Sequence, residues 1–269
     1  MNKYSLTKNT KQWNGTTLFQ IKAEMSFGSV VKGELGGYIE KENNLSQEGN
    51  AWVSGNAWVY GNARVYGNAR VSGDAWVYGN AWVYGNARVY GNARVSGDAW
   101  VSGNAWVYGN AWVYGNARVH GDARVYGNAR VYGNARVSGD AWVSGDAWVY
   151  GNAWVSGDAR VHGDARVSGD AWVSGNAWVY GNARVSGDAR VHGDARVYAK
   201  ASFTKGRFIG GDDSGKITDI TDKTGSTYWK NQYVLGDYEI TPIEEEKSLV
   251  GQEVSVMIGD KTYKAIIKE

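Results

Sequence analysis

His120, His162 and His192 are the only histidines in the chain, and there is no cysteine. Imidazole is the usual general base of acyl transfer and a common neutral metal ligand, so these three residues are weighed first for chemistry. Each stands in the same surroundings, Arg-Val-His-Gly-Asp. A catalytic base needs a groove of its own, and no insertion near any of the three would shape one for an acyl donor. They are read as surface variants of a repeat, too dispersed to form a metal cluster. Gly210-Gly211-Asp212-Asp213-Ser214-Gly215-Lys216 resembles a phosphate-binding loop, but Ile217 stands where Ser or Thr would hold magnesium. An exposed loop is expected there. With no disulfide, thiolate site or Cys nucleophile available, the expectation is a protein without catalytic residue, cofactor or metal.

The residues that stand out are apolar, aromatic and cationic. Residues 51–198 hold twelve Trp and thirteen Arg, interleaved with Tyr. These are the types enriched at binding hot spots, and large exposed apolar patches usually mark interaction surfaces. The candidate partner-binding set is Trp106, Trp112, Arg124, Arg130, Trp142, Trp148, Tyr126 and Tyr132, with Trp229 nearer the C-terminus. Self-association, another protein, a glycan or single-stranded nucleic acid would each use such a surface. The competing reading is that Trp and Arg stack on one another and only shield a thin sheet.

A strict period positions these side chains. Valine recurs at every sixth residue from Val53 to Val197, in the unit Gly-(Asn/Asp)-Ala-(Trp/Arg)-Val-(Tyr/Ser/His). In an extended chain Ala and Val point to one side, and Trp/Arg and Tyr/Ser/His to the other. Gly-Asn or Gly-Asp supplies the corner, both residues being expected to tolerate left-handed angles. A branched aliphatic followed four residues later by a small residue is the pattern of a left-handed parallel β-helix, three hexads to a coil. The spacing of Trp and Arg does not itself select that coil. Mixed Trp/Arg pairs number 16 of 22 at spacing 18 and 9 of 24 at spacing 6, but 18 of 23 at spacing 12. One coupling is clean: every repeat Tyr followed by another hexad precedes Gly-Asn, and every turn Asp follows Ser or His. A hydrogen bond such as His120 to Asp122 would explain it, and so would the copying of a few unit types.

The ends differ. Residues 1–50 read as an N-terminal cap, with strand pieces at 19–21 and 38–39, turns at Asn14-Gly15 and Gly36-Gly37, and the helix starting near Val31. The helix spans 51–209, its last coil continuing through Val197, Phe203 and Ile209. Residues 210–269 read as a small β domain with strands at 227–235, 237–242, 253–258 and 262–268 and a hairpin turn at Gly259-Asp260. Residues 1–50, 51–198 and 199–269 carry 6 basic and 5 acidic, 13 and 10, and 10 and 12 residues respectively. None is a polycation, so the charge balance carries no strong nucleic-acid signal. Neither a signal peptide nor an apolar run long enough for a membrane helix is present, and a cytoplasmic location is expected.

Tyr4-Ser5-Leu6-Thr7, the segment from Gly33 through Leu35-Gly36-Gly37-Tyr38 to Asn44-Leu45-Ser46, and the Gly-Asn-Ala-Trp-Val-Tyr units resemble the YdcK-like family. That family comprises left-handed β-helix proteins of enterobacteria and temperate bacteriophages. The resemblance covers about residues 1–200 and leaves the C-terminal segment unmatched. Its members are often labelled acyltransferases by fold similarity, an analogy only. The expected function is a non-enzymatic scaffold or binding rod. The resemblance adds a phage setting and a host or phage protein as partner. An acyl-CoA-dependent acyltransferase and a carbohydrate-binding rod are the alternatives. Self-association into a dimer or trimer is also expected.

Overall fold

The structure is a computed structural model. It describes residues 2–198 and the strands 202–203, 207–209, 226–229, 232–235, 253–258 and 261–266. Each hexad contributes a two-residue strand of Trp or Arg followed by Val. Strands pair in parallel at a separation of 18 residues, as Arg94 with Trp112 and Val95 with Val113. Three hexads therefore make one coil, and the strands stack into three faces. Face I runs from Trp52–Val53 to Arg196–Val197, face II from Trp58–Val59 to Ser202–Phe203, and face III from Arg64–Val65 to Arg207–Ile209. At about 4.8 Å per coil, the nine steps on face II from Leu35–Ile39 to Ser202–Phe203 span roughly 43 Å.

The interior is as narrow as the period requires. Every Ala and Val of the hexads from Ala51 to Val197 is buried. Each corner turns at its Gly alone: Gly127 has φ 69°, whereas Asn14 is the only described non-Gly residue with positive φ. The expectation that turn Asn and Asp share the left-handed conformation is corrected. Glycine is required twice over, because a Cβ on Gly127 would lie 2.9 Å from the Gly145 nitrogen one coil on. The Asn side chains do something else. Asn116 Nδ2 donates to Asn134 Oδ1, Asn134 to Asn152, and Asn152 to Asp170, at 2.9–3.1 Å. Asp accepts in such a ladder but cannot donate onward.

The N-terminal segment covers the open end with donors. β1 (Tyr4–Trp13) and β2 (Thr16–Ala23) form a hairpin around Asn14-Gly15, and β2 pairs antiparallel with β3 (Leu35–Ile39). β3 makes the first parallel pairing, Tyr38 with Trp58, so the coils start there and not near Val31. Ile39 and Leu45 pair with Val59 and Val65, twenty residues on, which reflects longer corners in the first coil. Carbonyls at that edge are met by Lys3 Nζ on Ala51 and by Asn44 Nδ2 on Gly61 and Ala63. Gly36-Gly37 is strand, not turn. A Cβ on Gly36 would sit 2.5 Å from Ile21 Cγ1 and 2.6 Å from the Val53 oxygen, so close packing of the cap explains the pair.

At the other end Phe203 pairs with Val185, keeping the register, but Val191 pairs with Phe208 and His192 with Ile209. The six-residue spacing to Ile209 is therefore not the pairing register. The single strand expected over 227–235 is two, Ser226–Trp229 and Gln232–Leu235, paired antiparallel. The second also pairs with Arg207–Ile209 on the edge of face III. Glu253–Ile258 and Lys261–Ile266 pair antiparallel as well. Gly259-Asp260, the segment 237–242 and the Gly210–Lys216 loop lie outside the described residues.

Candidate binding ladders on the rod faces

The two outward positions of each hexad form two parallel ladders on each face. On face I the order is Arg88, Trp106, Arg124, Trp142, Arg160, Trp178 and Arg196. Each guanidinium carbon lies 4.8–5.4 Å from the neighbouring indole centroids, so every step is a cation–π contact. On face II, Arg94 sits 4.9 Å from both Trp76 and Trp112. Arg130 sits 5.6 Å from Trp112 and 5.0 Å from Trp148, and Arg166 4.9 Å from Trp148. Face III breaks the alternation: Trp82 stacks on Trp100, and Trp154 meets Trp172 edge-on. Most mixed pairs at spacing 18 are therefore in contact, although the similar frequency at spacing 12 means that contact does not by itself explain the mixing. Those at spacing 12 lie on different faces and owe nothing to stacking.

The second ladder stacks like with like. Tyr90, Tyr108 and Tyr126 on face I, and Tyr114, Tyr132 and Tyr150 on face II, lie within 4° of parallel at 4.8–5.0 Å. Burial raises the Tyr132 phenol above its ordinary value. The stacked Tyr114 and Tyr150 add to the rise, against the cations Arg130 and Arg166. The ladders also touch: Tyr126 meets Trp142 and Tyr132 meets Trp148 edge-on.

The sequence-selected residues thus divide between two faces that share a corner. Trp106, Arg124, Tyr126 and Trp142 lie on face I, and Trp112, Arg130, Tyr132 and Trp148 on face II. The backbone of Trp229 lies in the strand Ser226–Trp229, away from both sets. Mutual stacking half-buries most of the indoles, but Trp112 keeps 38 % and Trp172 41 % of its surface. Trp52, expected outward like the rest, is buried against Tyr4 and Phe27 of the cap. Trp13 was missed by the sequence reading. It meets Trp58 and Trp76 edge-on and so extends the face II ladder toward the hairpin. It lies outside the period, and nothing in its local sequence marks it. The cleft where the cap overhangs face III, lined by Glu42, Gln47, Arg64, Tyr66 and Trp82, was missed because it forms only where cap residues meet the repeat.

His120 and His192 share face III, four coils apart, and His162 lies on face I. Burial lowers the pKa of His120 and His162. Arg118 and Arg136 add to the effect at the first, and Arg160 at the second. His120 makes no hydrogen bond to Asp122, so that explanation of the Ser/His–Asp coupling is withdrawn. Among the described residues no group of His, Asp and Glu is placed to hold a metal ion. None of their helices is long and apolar enough to cross a membrane.

A model of the YdcK beta solenoid repeat matches this chain as repeated units between residues 63 and 193, leaving the C-terminal segment unmatched. Among curated proteins, no match to the chain was found.

Proposed function

We propose that the chain is a non-enzymatic binding scaffold, a reading supported by the match of repeated units between residues 63 and 193 to the YdcK beta solenoid repeat. Its partner docks on the Trp/Arg/Tyr ladders of faces I and II. The observation that carries this reading is the unbroken alternation of Arg and Trp over seven rungs of face I and six of face II. Each aromatic side chain is held by its neighbours, so little side-chain entropy is left to lose on binding. The family resemblance to proteins of temperate phages supports a host macromolecule as the partner. An immobilised full-length chain and its Trp112→Ala/Trp148→Ala variant, exposed to cell lysate and envelope fractions, test this by quantitative mass spectrometry. Ligands retained by the wild type alone are expected, and identical retention by both would overturn the reading. The enzyme alternative is tested by titration with acetyl-CoA. Specific binding, with turnover lost in any of His120→Ala, His162→Ala or His192→Ala, would establish it instead.

A further inference from the structure

We propose that face II binds a linear acidic polysaccharide, its carboxylates or sulfates taken by the guanidinium edges of Arg94, Arg130 and Arg166. The inference rests on the binding-scaffold reading and names the ligand class. Among the described residues these three arginines make no ion pair and donate no hydrogen bond to protein; their contacts are with indoles. Arg94 and Arg130 each lie between two Trp rings, one coil below and one above. The planar faces are thus occupied and the N–H edges remain unused. A guanidinium edge is donor-only and best satisfied by a carboxylate, sulfate or phosphate in bidentate geometry.

Charge is uneven along the face. The corner after it carries Asn116, Asn134 and Asn152 between Asp98 and Asp170, while the corner before it carries Asp74, Asp146 and Asp164 beside the arginines, so that Arg130, between Asn128 and Asn134, is the rung best suited to an anion. The Tyr–Asn coupling produces the neutral side: wherever Tyr stacks, the corner that follows it carries no charge. Tyr114, Tyr132 and Tyr150 make no hydrogen bond through their hydroxyls among the described residues. Hydroxyls and amides in rows suit a partner rich in hydroxyl groups.

Spacing selects among polyanions. The arginines recur every second coil, about 9.6 Å apart. Like-facing side chains of an extended peptide recur at about 6.8 Å. Phosphates of a DNA strand follow one another at about 3.4 Å of axial rise. A glycan with one acidic group per disaccharide has a repeat of the required length. Non-specific single-strand binding, moreover, uses open aromatic faces on which bases stack. Here Arg94 and Arg130 contact Trp112 from either side, and Tyr132 stacks between Tyr114 and Tyr150.

The test titrates the full-length chain with hyaluronan oligosaccharides, which carry one uronate per disaccharide. Carboxyl-reduced hyaluronan and an oligothymidylate of equal charge serve as the comparison probes. Binding to hyaluronan is expected at low salt, weakening as salt rises and absent for the carboxyl-reduced form. Arg94→Gln/Arg130→Gln/Arg166→Gln should lose at least tenfold in affinity. Arg64→Gln/Arg118→Gln/Arg136→Gln on face III removes the same charge and should change it less than twofold, both variants keeping the wild-type circular-dichroism spectrum at the assay temperature. No binding, equal loss in the two variants, or tighter binding of the oligothymidylate would each overturn the proposal. Absent hyaluronan binding alongside Trp112- and Trp148-dependent capture from lysate would sink this inference and leave the broader reading standing.

Discussion

At the residue scale the chain tolerates little variation inside and rewards inspection at its edge. Val125 is fully buried among Ala and Val, with no polar group in the interior to meet a charge. Val125→Asp should destabilise the fold by several kcal/mol, about the cost of an unpaired buried carboxylate. Wild-type melting of that variant would mean that the inward assignment is wrong. Lys3 is the exception that proves informative about pH. Its ammonium is buried under the cap, bonded to the Ala51 carbonyl, and burial lowers its pKa from 10.5 to about 8. Between those values the unfolded chain holds a proton that the folded chain has shed, so stability rises with pH. The tyrosines act oppositely. Burial raises Tyr60 and Tyr132, and the folded phenols keep protons that the unfolded chain loses above pH 10. Melting temperature should therefore climb from about pH 8 toward pH 10 and fall beyond it. Lys3→Met should remove the climb and keep the fall, and an unchanged climb in that variant would show that Lys3 is not its source.

At the element scale a short strand between sharp turns, and the direction in which each of its residues faces, were legible in the sequence, whereas its two-residue bounds came from the structure. Its alternation places Val inside and Trp or Arg outside, and any shift of one residue would reverse them. The corner was legible only in part. Gly carries the positive φ, while Asn forms a side-chain ladder between coils that no local propensity encodes. The cap was the least legible, because Gly36-Gly37 has the composition of a turn, yet the approach of Ile21 and Val53 makes it strand. Of the candidate site, the residue types and the period were readable. Which of them share a face followed only once the coil size was known, since spacing 12 and spacing 18 score alike in the sequence. The alternating ladder makes an energetic prediction of its own. Arg130 and Trp148 are 5.0 Å apart on a partly exposed face, so a double-mutant cycle with Arg130→Ala and Trp148→Ala should give a coupling of about 0.5–1 kcal/mol. Additive losses in thermal melts would reduce the ladder to neighbours that merely share a surface.

At the scale of the whole molecule the rod has three unequal faces, and the inequality bears on self-association. Faces I and II alternate cation and indole along most of their length, which sets rows of guanidinium against any identical row brought opposite them. Face III instead pairs indole with indole, Trp82 on Trp100 and Trp154 with Trp172, and Trp172 is the most exposed indole of the rod. A flat face of that kind can meet its own copy about a twofold or threefold axis, each copy covering the other's apolar rings. Side-by-side closure is favoured over end-to-end growth at the N-terminal end, because the cap already meets the edge carbonyls there with Lys3 and Asn44. The expectation is a dimer or trimer formed through face III. Light scattering over a hundredfold concentration range measures it directly, and Trp172→Glu should shift the mass toward the monomer while the rod stays folded, its circular-dichroism spectrum unchanged. A monomeric mass at every concentration would remove the interface, and would leave the indole pairs of face III as shielding for the sheet beneath them.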